Sequence, residues 1–352
     1  MSDARVSSAA VMSCAAALAF ALVRRARAQC WRMRPCDRAE YGRIGVVAEP
    51  LPRSDASVHA LSTLADVRAA AIQYAETFVP RSTLLARSFV PTPGSATTTS
   101  KPATLRFLQF NMLARGLSSG PRFGGFTKTP RACLDFHAYR KLRVLEEMLR
   151  FGPDVVAVEE CDHFHDFLQP AMDQFGYDGV YQPKRDAPGL GIWREKMSES
   201  DRRGKQPFFS DGCALFWKRS TLRGVMSGAI GYDSGQEAEG VLWGQVGLYA
   251  RLELVENGAG GSGDGCKSFE VAATHLKSKP SPENEARRVA QISQLFACLE
   301  DVRRDEAEPV VVMGDFNTDP GLDLYKHVTG DGGRALDLDS AYALGSSNGT
   351  EP

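Results

Sequence analysis

Apolar residues along the last two thirds of the chain are grouped in short runs, and polar or charged stretches separate these runs. Short runs that are rich in β-branched and aromatic residues and bounded by turn residues are typical of buried strands. The pattern therefore predicts strands at residues 105–110, 154–160, 213–218, 246–255, 267–276 and 309–313.

Between these strands the apolar positions recur at the helical spacing of three and four residues. This spacing predicts helices at residues 67–78, 136–152, 163–175, 283–304 and 322–328. Gly152-Pro153 supplies the stop signal of the second helix. Alternating strands and helices predict an α/β fold. The charged stretch 184–210 interrupts the pattern and is interpreted as a surface loop.

The composition is that of a globular protein, since the 352 residues are 43% apolar and 24% charged. Residues 1–100 hold 12 of the 42 basic and 7 of the 43 acidic residues, which leaves 30 basic and 36 acidic residues in the remainder. Such a mildly acidic body lacks the basic face of a strong duplex binder, and it favours a small phosphate ester as substrate. The eight cysteines form no C-x-x-C pair, which favours reduced thiols and an intracellular location.

The chain is predicted to have three parts. Residues 1–36 combine six arginines and one acid with a 15-residue apolar run, which is too short for a stable membrane span. We interpret them as a targeting or signal-like leader to a mitochondrion or plastid. A secretory signal, a signal anchor and a misassigned start are the alternatives for this segment. A cytoplasmic location of the protein is the alternative to an organelle. Residues 37–103, which include a Pro/Thr/Ser-rich linker, are expected to be poorly ordered. Residues 104–352 form the domain that carries the chemistry.

Polar residues follow four predicted strands at their carboxyl ends, which is the edge where layered α/β proteins bind ligands. Asn111 follows the first strand, and Glu159-Glu160 ends the second. Because side chains alternate along a strand, one glutamate is expected to face the site and the other the opposite layer. A carboxylate oxygen is a ligand that Mg²⁺ prefers, although each of these residues alone is more commonly a cap or a solvated strand end.

His275 ends the strand at 267–276, and Lys277 and Lys279 follow it at alternating positions. A lone histidine is more commonly a satisfied buried imidazole. Here the alternation would place both lysines on the histidine's face, where they could meet phosphate oxygens.

The strand at 309–313 is followed by "GDFNTDP". Gly314 lets the backbone turn or approach another chain segment closely. Asp315 and Asn317 share one face if the chain stays extended, so that the carboxylate could orient a water while the amide donates to a phosphate. The alternative is that these polar groups only fill the turn, with Asp319-Pro320 opening the next helix.

The stretches "LRFLQFNML", "PDVVAVEECDHFHDFLQP", "VAATHLKSKP" and "VVMGDFNTDP" together resemble the endonuclease/exonuclease/phosphatase superfamily of metal-dependent phosphoesterases, and within it a deadenylase-like branch. The resemblance extends over most of residues 104–352. It implies a four-layer α/β sandwich, in which two mixed sheets pack face to face with helices outside them.

The resemblance also implies roles for the matching residues. Glu160 would ligate Mg²⁺, or Mn²⁺ in its place, and Asn111 would lie beside it. His275 would contact the scissile phosphate. Asp315 and Asn317 would position the attacking water and the developing negative charge.

Lys277 and Lys279 would hold phosphate groups of the substrate, and Glu159 would be a neighbour of the metal ligand. Two substrates are consistent with the resemblance: the 2′-phosphate of NADP(H), and poly(A) at the 3′ end of RNA. The mildly acidic body and the organelle-type leader favour the dinucleotide. We expect a monomer that binds a nucleotide or an RNA 3′ end and has no stable membrane span.

The sequence departs from the superfamily pattern at its C-terminal end. Members continue to a closing Ser-Asp-His motif, which supplies an acid beside the metal and the catalytic histidine, whereas this sequence ends at Pro352. His327, in the predicted helix 322–328, is a poor substitute. We therefore expect an incomplete domain, apparently truncated, with little activity of its own. It is either a fragment of a longer sequence or a shortened relative that binds without turnover.

Overall fold

The computed structural model describes the parts of the chain that position the candidate site. The described residues are 22–23, 61–78, 104–118, 126, 129, 131–134, 136, 140–184, 210–232, 244–255, 268–305, 307–330, 336 and 338–341. Most of the leader, the linker and most of the stretch 184–210 lie outside them.

The described strands form two sheets. They are β1 (Leu22–Val23), β2 (Phe107–Asn111), β3 (Val155–Cys161), β4 (Tyr177–Pro183), β5 (Gly212–Lys218), β6 (Leu222–Gly231), β7 (Val246–Leu254), β8 (Ser268–His275), β9 (Val310–Asp315) and β10 (Asp339–Ser340). One sheet has the order β2-β3-β5-β4 and the other the order β10-β1-β9-β8-β7-β6. The β2–β3 and β8–β9 pairs are parallel, whereas the other pairs are antiparallel, so that both sheets are mixed.

Helices cover the outer face of each sheet. They are α1 (Leu64–Phe78), α2 (Arg115–Ser118), α3 (Arg131–Leu134), α4 (Lys141–Leu149), a π-helical turn (Phe164–Leu168), α5 (Gln169–Gln174), α6 (Pro282–Val302) and α7 (Asp323–Thr329). Helix α6 begins with Ser281 as its N-cap, since the Ser281 hydroxyl accepts from the Asn284 N–H at 3.1 Å. Gly152, at a φ of 57°, follows α4 where the sequence predicts the stop.

Alternation along the strands divides the apolar side chains among three cores. In β3, Val156 and Val158 pack against α4 and α5, while Val155 and Ala157 face the other sheet. The outer face of the second sheet packs against α6 and α7. The molecule is thus a helix–sheet–sheet–helix sandwich, and the predicted fold class is confirmed.

Strands β4 and β6 have no counterpart in the prediction. Each is the edge strand of its sheet, and an edge strand needs fewer apolar residues because one side of it meets solvent. Gly224 and Gly228 in β6 leave room for aromatic rings, since a Cβ at these positions would lie 2.6 Å from the Trp217 ring and 2.3 Å from the Tyr249 hydroxyl. Because glycine stands at these two positions, β6 lacks the continuous apolar run from which a strand is predicted.

The region 37–103 contains one described helix, α1, which packs against the outer core. Val67 and Ala71 are fully buried beside the residues of α4, and the Arg68 guanidinium lies 3.0 Å from the Glu146 carboxylate. Thr63 and Asp66 cap the first turn reciprocally, with Asp66 N donating to the Thr63 hydroxyl at 3.2 Å and Thr63 N donating to the Asp66 carboxylate at 2.7 Å. This part of the region expected to be poorly ordered is therefore a packed element of the domain.

Two residues of the predicted leader, Leu22 and Val23, form β1 between β9 and β10. In the part of the chain that the structure describes, no helix is both long enough and apolar enough to cross a membrane.

The packing of α1 predicts a difference between two substitutions on the same helix. We expect Val67→Ala to lower the free energy of unfolding by about 2 kcal/mol, because it removes two buried methyl groups. Ile72→Ala, at a position that is 49% exposed, should change it by less than about 0.5 kcal/mol. Urea unfolding of both variants checks this, and equal effects would show that α1 is not docked.

Candidate active site

Three of the predicted site residues meet between the two sheets. Asn111, His275 and Asp315 end β2, β8 and β9, and each lies on the face of its strand that points into the inter-sheet core. Asn111 Nδ2 donates to Asp315 Oδ2 at 3.0 Å and so connects the two sheets. His275 and Asp315 are neighbours in the parallel register of β8 and β9, with 3.8 Å between Nε2 and Oδ2.

Glu160 reaches the same place through an irregularity of β3. The register of β3 against β5 shifts between Val158 and Cys161, and Glu160 has a φ of 54°. Its Oε1 accepts from Asn111 Nδ2 at 3.1 Å, and its Oε2 accepts from the Ala114 N–H at 3.0 Å. Simple alternation would have turned Glu160 toward the outer helices, so the expectation that only one of the two glutamates faces the site is wrong.

Glu159 lies beneath the site. It is fully buried and accepts a hydrogen bond from Gln109 Nε2, but among the described residues its Oε1 has no hydrogen-bond partner. Burial, and then the neighbouring Asp315 carboxylate, hold the pKa of Glu159 well above its usual range. Burial also raises the pKa of Glu160 and that of Asp315. The site therefore concentrates three carboxyl groups in a place that disfavours their negative charge.

The turn after β9 fixes Asp315 and Asn317. Asn317 N donates to Asp315 Oδ1 at 3.1 Å, and Asn317 Nδ2 donates to the Leu276 carbonyl at 3.2 Å. One amide hydrogen of Asn317 is left for another acceptor. Gly314 permits this arrangement, because a Cβ there would lie 2.0 Å from the Thr274 carbonyl oxygen. Asp319 is exposed in the same turn and takes no part in the cluster.

Two site residues escaped the sequence analysis. Lys184 is the first residue of the charged stretch 184–210 that was interpreted as a surface loop, and Asp211 follows that stretch. Both are buried, with 2.6 Å between Lys184 Nζ and Asp211 Oδ2. They are brought together because β4 and β5 pair at Pro183 and Gly212. The interpretation is wrong for Lys184, and residues 185–209 lie outside the described residues. The length of the interruption hid the pairing of its two ends.

Lys184 determines the hydrogen-bonding role of His275. Lys184 Nζ lies 3.4 Å from His275 Nδ1, and an ammonium group has hydrogens to donate but no lone pair. Nδ1 must then be the acceptor, so that Nε2 carries the hydrogen and presents it beside Asp315. Burial, and then the charge of Lys184, hold the pKa of His275 well below its usual range. The imidazole is thus a neutral donor.

The Lys184 charge is itself maintained by Asp211. Burial acts to lower the pKa of Lys184, but the Asp211 carboxylate outweighs it, and the pKa ends above the usual value. The ammonium group therefore stays charged beside the histidine.

Lys277 and Lys279 lie in the segment that follows β8, and Lys279 is exposed. Lys277 is half-buried, and its pKa is lowered by burial and then by Lys279, Arg287 and Lys184. These cations form a positive margin that suits an anionic ligand. His327 lies elsewhere, since its Nε2 is 2.9 Å from the Ser293 hydroxyl and joins α7 to α6.

Within the described part of the chain, no group of three or more His, Cys, Asp or Glu side chains is arranged as a metal-binding cluster. The Glu160 carboxylate lies beside the Asn111 amide, with 3.1 Å between Glu160 Oε1 and Asn111 Nδ2. The arrangement as a whole can bind an oxyanion between neutral or positive donors and hold a water against Asp315.

Residues 108–352 match the model of the Endonuclease/Exonuclease/phosphatase family, and the chain belongs to that family. The family predicted from the sequence motifs is therefore confirmed.

Within the family, the chain is similar to nocturnin. It is 32% identical to nocturnin of Homo sapiens over 267 residues, which are 76% of this chain and 54% of that protein. It is also 32% identical to nocturnin of Drosophila melanogaster over 240 residues, 68% of this chain and 32% of that protein. The chain thus spans about half the length, or less, of these relatives.

The structure of the human nocturnin catalytic domain with a bound sulfate anion is similar to this one. The TM-score is 0.53 at 30% sequence identity, and the match covers 70% of this chain and 76% of that domain. The chain is thus a nocturnin-like member of its family.

The environment of His275 predicts how stability depends on pH. An unfolded histidine takes up a proton below about pH 6.5, whereas the buried imidazole resists it, so its stabilising contribution is complete above that pH and is lost as the pH falls. The reference is the variant His275→Gln, whose amide can donate a hydrogen bond but does not titrate in this range. Below pH 6.5 we expect the free energy of unfolding of the wild type to fall by about 1.4 kcal/mol per pH unit more than that of the variant.

Urea unfolding at pH 7.5, 6.5 and 5.5 measures this difference, and His327→Gln is the control for loss of a histidine outside the site. Parallel curves for the wild type and His275→Gln would contradict the neutral imidazole.

Proposed function

We propose that the protein is a Mg²⁺-dependent hydrolase of phosphate esters and that it removes the 2′-phosphate of NADP(H). The observation that carries this proposal is the Asn111–Asp315 contact beside the Nε2 face of His275. It puts a carboxylate that can accept a proton next to a neutral donor that can bind a phosphoryl oxygen.

The residues present fit a magnesium ion. Mg²⁺ commonly takes one or two protein carboxylates and leaves its remaining positions to water and substrate. Glu160 offers such a carboxylate, and the neighbouring residue Glu159 has a buried Oε1 that lacks a hydrogen-bond partner among the described residues. When bound, the ion would neutralise charge on a phosphoryl oxygen as a Lewis acid, and it would offset the burial that raises the pKa of the neighbouring carboxyl groups.

Asp315 is the group that orients the attacking water in this proposal. Its two oxygens are held by Asn111 Nδ2 and Asn317 N, so that the carboxylate has one fixed direction. The burial that raises its pKa also makes it a better proton acceptor than an exposed aspartate.

The developing negative charge is met by donors that are already in place. His275 Nε2–H and the remaining amide hydrogen of Asn317 supply hydrogen bonds, while Lys184 adds a buried positive charge behind the histidine. Lys277 and Lys279 would receive the other phosphate groups of the substrate.

A dinucleotide suits this site better than a long polyanion. Residues 101–352 carry 36 acidic against 30 basic residues, so the body offers no broad positive surface to a long polyanion. The sulfate bound by the human nocturnin domain supports binding of a tetrahedral oxyanion by this fold. Shortening of poly(A) is the competing function, and the deadenylase-like motifs of the sequence favour it.

Phosphate release from NADP⁺ by the full-length protein tests the choice. We expect inorganic phosphate to appear with Mg²⁺ or Mn²⁺ and to disappear when the metal is chelated, while a 3′-oligo(A) RNA stays intact. Shortening of the RNA without release from NADP⁺ would replace the first substrate with the second, and inertness toward both would refute the hydrolase.

The role of Asp315 predicts a difference between two identical changes in one turn. Asp315→Asn should lower kcat by a factor on the order of 10² to 10⁴, because the amide cannot accept the proton. Asp319→Asn, at the exposed position four residues later, should leave kcat within about twofold of the wild type, as surface changes usually do. Initial rates of phosphate release at saturating substrate measure both, and equal losses would place the proton acceptor elsewhere.

A further inference from the structure

A buried ion pair on the first turns of α6 lies behind the site. Arg288 Nε donates to Glu285 Oε2 at 2.8 Å, and Arg288 Nη2 donates to the same oxygen. Arg288 is 1% exposed and Glu285 is 8% exposed. Burying such a pair is costly unless its remaining donors and acceptors are satisfied.

The remaining donors of Arg288 hold the segment after β8. Nη1 donates to the carbonyl of Lys277 at 2.8 Å and to that of Lys279 at 3.2 Å. Lys279 has a left-handed backbone with a φ of 76°, and Asn284 Nδ2 also donates to its carbonyl, at 3.2 Å. The backbone that carries both phosphate-binding candidates is thus fixed from α6.

The carboxylate of Glu285 holds the segment after β9. Its Oε1 accepts from the Leu324 N–H at 2.8 Å and from the Thr318 hydroxyl at 3.1 Å. Thr318 follows Asn317 directly, so the turn that carries Asp315 and Asn317 is fixed by the same pair.

We infer that Glu285 and Arg288 are positioning residues that hold the Lys277–Lys279 segment and the Asp315–Thr318 turn in one fixed relation. Each partner contacts a different segment, and the ion pair joins the two contacts. The inference rests on the proposed function, because it assigns the first segment to substrate binding and the second to the chemical step.

The guanidinium shape is essential to this coupling. Its Nε and Nη2 face the carboxylate while Nη1 faces the two carbonyls, an arrangement that the single ammonium group of lysine cannot reproduce. Arg288→Lys therefore keeps the charge and removes the coupling. Thr318→Val removes only the hydroxyl contact to Glu285.

The two variants should differ in their effects on KM and kcat for phosphate release by the full-length protein. We expect Arg288→Lys to raise KM about tenfold and also to lower kcat about tenfold, because it frees the binding segment and uncouples the catalytic turn from it. Thr318→Val should lower kcat about tenfold with little change in KM, because it loosens the turn alone. Arg304→Lys, the same change at an exposed residue just after α6, should change neither. The inference would be overturned if Arg288→Lys and Arg304→Lys had equal effects. It would also be overturned if Arg288→Lys reduced only the amount of active protein and left KM unchanged.

Amide hydrogen exchange gives a second measurement that needs no turnover. Arg288→Lys should speed exchange at the Leu324 amide, which Arg288 does not contact, as well as at the Lys277 amide. Faster exchange confined to the Lys277 segment would overturn the coupling. A wild type without turnover would refute the proposed function, and exchange would still decide the coupling. If Arg288→Lys does not fold, hydrogen exchange at the Leu324 and Lys277 amides is measured in Thr318→Val instead.

Discussion

The Asn111 amide donates to Glu160 and to Asp315, and this two-way contact ties the ends of two sheets together at the margin of the core between them. It forms only if β2 and β9 present the same face inward and the sheets pack at one distance. The apolar residues of the inter-sheet core set that distance, and the strand alternation sets that face. Packing of Val155, Ala157 and their partners is therefore the physical basis of the site.

The central strands could be predicted from the sequence because they are buried on both faces and read as continuous apolar runs. The edge strands β4 and β6 could not, since β6 is half exposed and β4 is mostly only partly buried, and since glycine replaces apolar side chains under aromatic rings. Asn111, His275 and Asp315 could be found because each ends a predicted strand. Lys184 could not, because only the pairing of β4 with β5 brings it beside His275. The direction of Glu160 depends on a bulge that alternation does not contain.

The charges of the site follow one rule, which is that burial disfavours every ionised form and specific partners decide the exceptions. Lys184 stays charged because Asp211 lies 2.6 Å away. His275 becomes neutral because burial, and then that same cation, hold its pKa well below the usual range. Among the described residues, Glu159 has Gln109 for one oxygen and no hydrogen-bond partner for the other, and burial, followed by the Asp315 carboxylate, holds its pKa well above the usual range, which favours the protonated form.

The bulge at Glu160 and the close approach at Gly314 have a consequence for protein engineering. Side chains of the site can be copied onto another scaffold, but their directions come from one extra residue in a strand and from a backbone position that has no space for a Cβ. A graft that transfers Glu160 and Asp315 onto regular strands would aim the two carboxylates at opposite layers. A graft must therefore transfer the two irregular backbone segments, which are harder to reproduce than the identities of the side chains that they direct.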